Sequence, residues 1–367
     1  MRVLIVGCGA SGLALATKLE ENNVDYLILE KNDKVGRKIL ASGNGRANLS
    51  NLSLDDSFYK NASYFNYDKY SWQNFLKAEE FLTMTDEEGR MYPFSNSSLS
   101  LLNFLLSKIN QNKIKLNSEL RDIKRNNLNK FIYDNQVFDK LVLACGSIIN
   151  NNSEHYFDIF NNLKIELSQL SPSLVGFKIN NINKRLEGIR VPVLATLSQD
   201  NQIIHSEEGE MIFKKNGISG IVIMNMSFYY NRLVNKNNVS LEIKMYPKLD
   251  NEMITKYYKA NKLEFLLNPK LYDVIKTYSL EDTLKFIQHF KITNLNLYDF
   301  SLAQVVSGGV KISEVNKNFS LKADKDIYVI GEALDVDAAC GGYNLNFAFS
   351  SGLSLAKEFI KWNIYIT

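Results

Sequence analysis

The first fifty residues constrain the fold more than any other part of the chain. Val3 to Val6 form a short apolar run, followed by Gly7-Cys8-Gly9-Ala10-Ser11-Gly12 and an amphipathic stretch of alanines and leucines through Glu20. This pattern reads as strand, tight turn and helix. In that setting Gly7 permits the turn, Gly9 lets a ligand approach the backbone, and Gly12 lets helix and strand pack closely. The helix start, at Ala10 and Ser11, presents backbone N–H groups and partial positive charge, which suits a pyrophosphate. A second β run, Tyr26 to Leu29, ends in Glu30. It lies about 20 residues beyond the glycines, where a carboxylate accepts hydrogen bonds from ribose hydroxyls. A glycine-rich turn alone is a common connection; strand, helix, second strand and acidic residue together predict dinucleotide binding. An acidic ribose ligand fits FAD or NAD better than NADP, whose extra phosphate would meet like charge. A basic, glycine-rich loop, GRKILASGNGRANLSN from Gly36 to Asn51, follows directly.

A chain of 367 residues is long enough for two or three domains and a large core. No apolar run approaches the roughly 18 residues that a membrane helix needs. Arg2 leads straight into a strand that the fold requires, so no signal peptide is expected, and the expected location is the cytoplasm. The cysteines, Cys8, Cys145 and Cys340, are odd in number, far apart and each beside a glycine. That argues against both a disulfide framework and a zinc site, and they read as small buried residues at tight turns. His155, His205 and His289 show no ligand-type spacing with carboxylates or cysteines, which argues against hydrolytic triads and metal catalysis. The net charge of +3, from 43 basic and 40 acidic side chains, does not by itself announce a nucleic-acid binder.

Farther along, an aromatic amphipathic helix is predicted near Trp72 to Leu82, and a leucine-rich helix after a Ser97 or Ser98 cap. Short β runs are predicted at Lys113–Leu116, Glu119–Lys124, Phe131–Tyr133 and Val137–Phe138. After Lys140, Leu141 to Ala144 is a continuous apolar run that leads into Cys145-Gly146, which suits a central parallel strand. Ligands bind beyond the carboxyl ends of such strands, so Gly146 is a candidate contact. From Ser168 to Tyr246 the pattern changes to β segments, including Leu174–Ile179, Val191–Leu197 and Val239–Met245, with one helix at Ile221–Leu233. Asp250 to Phe290 reads as helical. The end of the chain returns to strand, glycine turn and helix: Ile327 to Ile330, Gly331-Glu332, Gly341-Gly342-Tyr343-Asn344, then Leu345 to Phe359. The expected organisation is α/β, with a Rossmann-like domain built from residues 1–166 and 303–367, an inserted β-barrel-like domain at 167–248 and a small helical domain at 249–302.

Three separated stretches, GRKILASGNGRANLSN, GRMYPFSN and GEALDVDAACGGYNLNFAFSSG, resemble the motifs of the YhiN/BaiN-like FAD-dependent oxidoreductases, also called the HI-type conserved flavoproteins. The resemblance is clearest at both ends and covers nearly the whole chain. It implies FAD contacts from Gly7, Gly9, Gly12, Glu30, Lys31, Gly36, Arg37, Lys38, Ser42, Gly43, Gly45, Arg46, Asn48, Gly146, Gly331, Glu332, Gly341, Gly342, Tyr343 and Asn344. Arg37, Lys38 and Arg46 would offset pyrophosphate charge, or one of them would steady a reduced isoalloxazine. The chain departs from the family pattern at several places. Ala47 replaces the cysteine of GRCN, Phe213 to Ile221 lacks the Thr-His before GLSGP, and Ser147 to Asn152 replaces a glycine- and proline-containing loop. Ala338 and Val306 stand where glycine and threonine are usual.

No second GxGxxG occurs, so NADH or NADPH is expected as a transient electron donor at the flavin and not in a domain of its own. The resemblance allows an oxidoreductase acting on a small molecule, with an unidentified acceptor. It also allows reduction of uridine to dihydrouridine in ribosomal RNA, for which Lys178, Lys184, Arg185, Arg190, Lys214 and Lys215 are candidate phosphate contacts. A flavin-binding sensor or assembly factor without turnover is the third alternative. Arg46 and Cys340 are the candidate catalytic side chains, Cys340 as a thiol acid. Neither a metal nor a membrane is expected as partner, and the oligomeric state is left open.

Overall fold

A computed structural model describes residues 1–148 and 155–366, with side chains to Lys361. The expectation for Ile149 to Asn152 therefore lies outside the described residues. The chain divides into two compact units, residues 1–170 with 305–367, and residues 171–304.

The first unit is built on a five-stranded parallel sheet. Its members are β1 (Arg2–Val6), β2 (Asp25–Leu29), β3 (Ile114–Lys115), β4 (Lys140–Leu143) and β5 (Ile327–Val329), in the order β5-β4-β1-β2-β3. The register sets Val3 opposite Lys140 and Tyr26, and Leu141 opposite Ile327. The fully apolar run Leu141 to Leu143 is explained by this order: β4 has a neighbour on each side, and these residues are completely buried. Helix α1 (Ala10–Glu21) follows β1, the short α2 (Arg37–Ala41) follows β2, and the long α3 (Tyr343–Ile366) closes the chain. A β-carbon on Gly352 would lie 2.3 Å from the Ser11 carbonyl oxygen, so α3 approaches α1 at a distance that no larger residue permits. Aromatic stacking of Trp72 on Phe349, 3.9 Å between ring centroids, fastens the helix at Ser71–Ala78 to α3. That helix stops at Ala78, short of the expected Leu82, because Thr83–Thr85 pairs with Arg90–Pro93 as a strand.

The second unit carries a seven-stranded antiparallel sheet. Its order is Phe290–Thr293, Val239–Met245, Arg190–Gln199, Gln202–Lys214, Gly217–Ser219, Phe177–Lys178 and Asn296–Leu297. Laid flat, seven strands spaced about 4.8 Å apart would span roughly 29 Å. The two edge strands are nevertheless joined by Asn294 and Leu295 alone, a link that reaches at most about 11 Å. The sheet must curl, which gives it a barrel-like form. Alternation does the rest: Val193, Ala195 and Leu197 stand opposite Met245, Ile243 and Leu241, and together with Val191 and Val239 they enter one buried cluster. The helical stretch after Asp250 resolves into Asn251–Lys259, Pro269–Ile275 and Leu280–Gln288, whose Ile254, Leu271 and Ile287 enter that same cluster. Ser279 caps the last of them, accepting from the Asp282 N–H at 3.0 Å.

Three expected β runs shrink, Lys113–Leu116 to Ile114–Lys115 among them. Of Glu119–Lys124, only Lys124 is in a strand, and of Leu174–Ile179 only Phe177–Lys178 is. Leu174 has φ of +50°, which breaks an extended run at its first residue.

Candidate functional site

The glycine turn between β1 and α1 is locked from two sides. Gly7 donates its N–H to the Leu29 carbonyl at 2.7 Å, and at φ +109° a β-carbon there would sit 2.4 Å from the Ala144 oxygen. A β-carbon on Gly12 would collide with the Gly7 carbonyl oxygen at 2.1 Å. Gly9 differs: it has an ordinary extended backbone, and a β-carbon there would meet nothing within 4 Å. Gly9 is the N-cap of α1 and offers no side chain to the helix. The first-turn N–H groups of Ala10, Ser11 and Gly12 therefore face an open approach at the positive end of a helix dipole. This is an anion-binding geometry.

Glu30, buried at the end of β2, braces that turn. One carboxylate oxygen accepts from the Cys8 N–H at 3.0 Å; the other accepts from the Asn32 N–H at 2.9 Å and the Asn32 amide at 2.6 Å. A carboxylate has about four acceptor positions, so roughly one remains for a ligand hydroxyl. Cys8 is fully buried; burial first, then the nearby Glu30 charge, push its thiol up, and it is chemically inert. Lys31 is half-buried, and burial holds its ammonium below the usual lysine range.

The loop after β2 is tied back by the Gly36 N–H, which donates to the Cys8 carbonyl at 3.1 Å. Arg37 is exposed and bonds Asn32 at 2.8 Å. Lys38 turns inward and donates to the Ser147 carbonyl (3.0 Å), the Ser147 hydroxyl (2.8 Å) and Glu332 (2.9 Å). Ser42 returns its hydroxyl to the Ile39 carbonyl at 2.6 Å. Gly43, Asn44, Gly45 and Ala47 all have positive φ, so the loop winds tightly past Arg46. The Arg46 guanidinium is exposed and lies over the Tyr92 ring, 4.8 Å from its centroid. Ala47, at the family's cysteine position, is completely buried.

The far end of the chain meets this loop. In the orientation its neighbours require, the Asn48 amide donates to the Ser50 carbonyl at 3.2 Å and accepts from the Gly342 N–H at 3.1 Å. A β-carbon on Gly342, at φ +93°, would lie 2.4 Å from the Ser50 oxygen. Asn346, fully buried, accepts from the Ser50 hydroxyl at 2.8 Å and donates to the Lys69 carbonyl at 3.0 Å. Gly331, just past β5, donates to the Ser351 hydroxyl at 3.1 Å and packs on Ser11. Glu332 gives one oxygen to Lys38, and its other accepts only a long 3.4 Å contact from the Val306 N–H. Next to Gly341, the Tyr343 ring stacks on Phe58 at 4.7 Å. Asn344 is spent internally, bonding the Ala338 N–H and carbonyl, each at 2.9 Å.

Past β4, Gly146 accepts from the Tyr156 hydroxyl at 2.9 Å, and burial pushes the Cys145 thiol up to about 11. Cys340 is half-buried on the segment before Gly341. The structure thus gathers the expected residues into the glycine turn with Glu30, and a seam where the loop after β2 meets the turns after β4 and β5 and the start of α3. Tyr92, Ser147, Asn346 and Ser351 were missed. Tyr92 lies inside the GRMYPFSN stretch, and Asn346 and Ser351 inside GEALDVDAACGGYNLNFAFSSG, so these three were findable; Ser147 carries no spacing signal.

In the second unit, three of the six candidate RNA-contacting cations are already paired: Lys178 with Asp299 at 3.0 Å, Arg185 with Asp273, and Arg190 with Glu210. Each histidine, contrary to the sequence expectation, has a carboxylate neighbour, close along the chain for His155 and His205 and distant in sequence for His289. These are Asp158 at 2.9 Å from His155, Glu207 at 3.3 Å from His205 and Glu242 at 3.0 Å from His289. Among the described residues no group of three or more His, Cys, Asp or Glu side chains is placed to hold a metal ion, and no helix is long and apolar enough to cross a membrane.

A parallel sheet with a glycine-gated helix N-terminus, completed by a turn from the opposite end of the chain, defines a Rossmann-type FAD-binding domain. Residues 1–358 match the family model described as the HI0933-like protein Rossmann domain, and the chain belongs to that family of FAD-dependent oxidoreductases. It is similar to 3-dehydro-bile acid delta(4,6)-reductase of Clostridium scindens, with 27% identity over 96% of this chain and 97% of the relative. It is also similar to the ribosomal RNA dihydrouridine synthase of Haemophilus influenzae, 25% identical over 96% of this chain and 97% of that one. Among solved structures, 3-ketosteroid delta1-dehydrogenase from Sterolibacterium denitrificans matches with a TM-score of 0.45 and 11% identity, over 98% of this chain and 99% of that chain.

Proposed function

We propose that this chain binds FAD at the seam between its two ends and carries electrons from NADH or NADPH to an acceptor with an activated carbon–carbon double bond. The observation that supports this most directly is the open, uncapped helix start at Gly9, where a β-carbon would meet nothing while its neighbours Gly7 and Gly12 are tightly enclosed. Within this turn the protein itself crowds Gly7 and Gly12, whereas at Gly9 it leaves the approach to the helix start open to a ligand.

In this reading the N–H groups of Ala10 to Gly12 hold the pyrophosphate, and Glu30 uses its remaining acceptor position on the ribose. Glu332 offers its weakly engaged oxygen to a cofactor hydroxyl. Gly36, Gly43, Gly45, Gly146, Gly341 and Gly342 let backbone approach the cofactor, with Lys31, Arg37, Ser42, Asn48, Tyr343 and Asn344 shaping the same seam. Arg46, held against Tyr92, brings a permanent positive charge to the glycine-rich loop, where it favours an anionic reduced ring. FAD, when bound, supplies the hydride chemistry. Cys340 is the candidate proton donor on the chain itself. A delta-reductase and a dihydrouridine synthase both add hydrogen across a carbon–carbon double bond, which is why the acceptor is assigned to that class.

RNA is the second reading. The positive excess is confined to residues 171–304, which hold 17 basic and 13 acidic side chains against 26 and 27 in the rest. The three ion-paired cations weigh against it, since a phosphate must displace their carboxylates. Anaerobic mixing of the FAD-loaded protein with NADH or NADPH, followed by conjugated enones or uridine-containing ribosomal RNA, tests both readings. The expected result is flavin bleaching by a nicotinamide and reoxidation by one acceptor class. Failure to take up FAD refutes the proposal; slow reduction with no acceptor-dependent reoxidation would leave a flavin-binding sensor or assembly factor. Dihydrouridine levels in ribosomal RNA, unchanged on deletion of the gene, would remove the RNA route.

A further inference from the structure

Lys38 sits where three segments distant in sequence converge. Its ammonium has three donors, and all three are used inside the protein: on the Ser147 carbonyl at 3.0 Å, the Ser147 hydroxyl at 2.8 Å and Glu332 at 2.9 Å. One side chain on α2 therefore ties down the stretch after β4 and the turn after β5. Ser147 is buried, and Lys38 and Glu332 side chains are only 34% and 22% exposed. Gly146 lies against the pair, for a β-carbon there would be 3.3 Å from the Lys38 nitrogen and 3.7 Å from the Glu332 oxygen. With its donors committed, Lys38 is badly placed to neutralise a phosphate, the role the basic loop suggests. Its nearest charge is the Glu332 carboxylate, which has one strongly held oxygen and one nearly free oxygen.

We propose that Lys38 and Glu332 form a charge-compensated pair that positions the free Glu332 oxygen for a cofactor hydroxyl and sets the reduction potential of the bound flavin. Lys38 is a positioning residue, acting through Glu332. The inference rests on the assignment of the Gly331–Glu332 turn as a cofactor contact. The pair is close to neutral as a unit, so removing either member exposes the other. Loss of the ammonium leaves an uncompensated carboxylate, which disfavours the anionic reduced flavin and lowers the potential. Loss of the carboxylate leaves an uncompensated ammonium and raises it.

The test uses full-length protein carrying Lys38→Met, Glu332→Gln, both together, or Lys38→Arg. FAD affinity is read by titration of apoprotein, and the two-electron potential by equilibration with a reference dye. The expected single-variant shifts have opposite signs. Each reaches at least tenfold in the ratio of affinities for reduced and oxidised flavin, about 30 mV for a two-electron couple. The double variant returns toward wild type, and Lys38→Arg, which keeps the charge, keeps the potential. A purely structural role weakens FAD binding in all variants without this reversal of sign. Glu332→Gln is nearly isosteric, so its potential decides the matter if Lys38→Met fails to fold: an unchanged or lowered value overturns the proposal. Wild-type apoprotein that takes up no FAD sinks the cofactor assignment instead, a distinguishable failure.

Discussion

Replacing Gly9 by alanine adds one methyl group at a point where the protein itself has nothing within 4 Å. The backbone there has φ −95° and ψ −162°, which alanine adopts without strain. Two small effects on the folded protein oppose each other. Alanine restricts the unfolded chain, worth about 0.4–1 kcal/mol of stability. It is also a poorer N-cap than glycine, which costs roughly 0.5–1 kcal/mol. Apoprotein stability should change by less than about 0.5 kcal/mol. Ligand binding should not escape so lightly. The methyl occupies the approach to the N–H groups of α1, and loss of one hydrogen bond to a charged phosphate costs about 1.5–3 kcal/mol. That corresponds to roughly 10- to 100-fold weaker FAD binding. Thermal or urea unfolding with and without FAD reads both quantities. At a concentration 100 times the wild-type Kd, FAD stabilises the wild type by about 2.7 kcal/mol, whereas a 100-fold weaker variant gains only about 0.4 kcal/mol. Gly12→Ala is the contrasting control: its β-carbon would lie 2.1 Å from the Gly7 oxygen, so the apoprotein itself should lose stability. A Gly9→Ala protein that binds FAD as tightly as wild type refutes the assignment of this turn.

Gly342→Ala places a β-carbon 2.4 Å from the Ser50 carbonyl at φ +93° and should cost more than about 2 kcal/mol in urea denaturation. An undiminished midpoint would show that the two chain ends are not closely knit there. Asn346→Ala strands the Lys69 carbonyl and one bond of the Ser50 hydroxyl in a buried site, with an expected loss of roughly 2 kcal/mol or more. The Cys145 thiol, raised to about 11 chiefly by burial, stays protonated at neutral pH. Since the thiolate is the reactive form, its alkylation at pH 8 should run about 200-fold slower than that of a free cysteine and rise toward pH 11; rapid labelling at pH 8 in Cys145-resolved mass spectrometry contradicts that burial.

What was legible in the sequence was whatever depends on neighbours along the chain. The turn from Gly7 to Gly12 is a local steric solution, and the strand at Lys140–Leu143 follows from an unbroken apolar run. The strand at Val239–Met245 matches its alternation residue for residue, because period-two burial is written into the order of side chains. Readings failed where a local pattern had no tertiary partner. Glu119–Lys124 looks like a strand yet finds a ladder only at Lys124, and Leu174 leaves the extended region altogether.

The motifs named the residues of the candidate site but not what each one touches. Arg37 and Lys38 are adjacent and equally basic, yet Arg37 points to solvent while Lys38 reaches Glu332, 294 positions away. Likewise Asn48 is matched to Gly342, and Arg46 to Tyr92. The sequence by itself determined that a dinucleotide-binding turn opens this chain and that its far end repeats the strand–glycine–helix form. Only the tertiary structure decided which charges remain available to a ligand and which are consumed in holding the site together. Side-chain pairing depends on distances across the fold, and spacing along the chain carries no information about those.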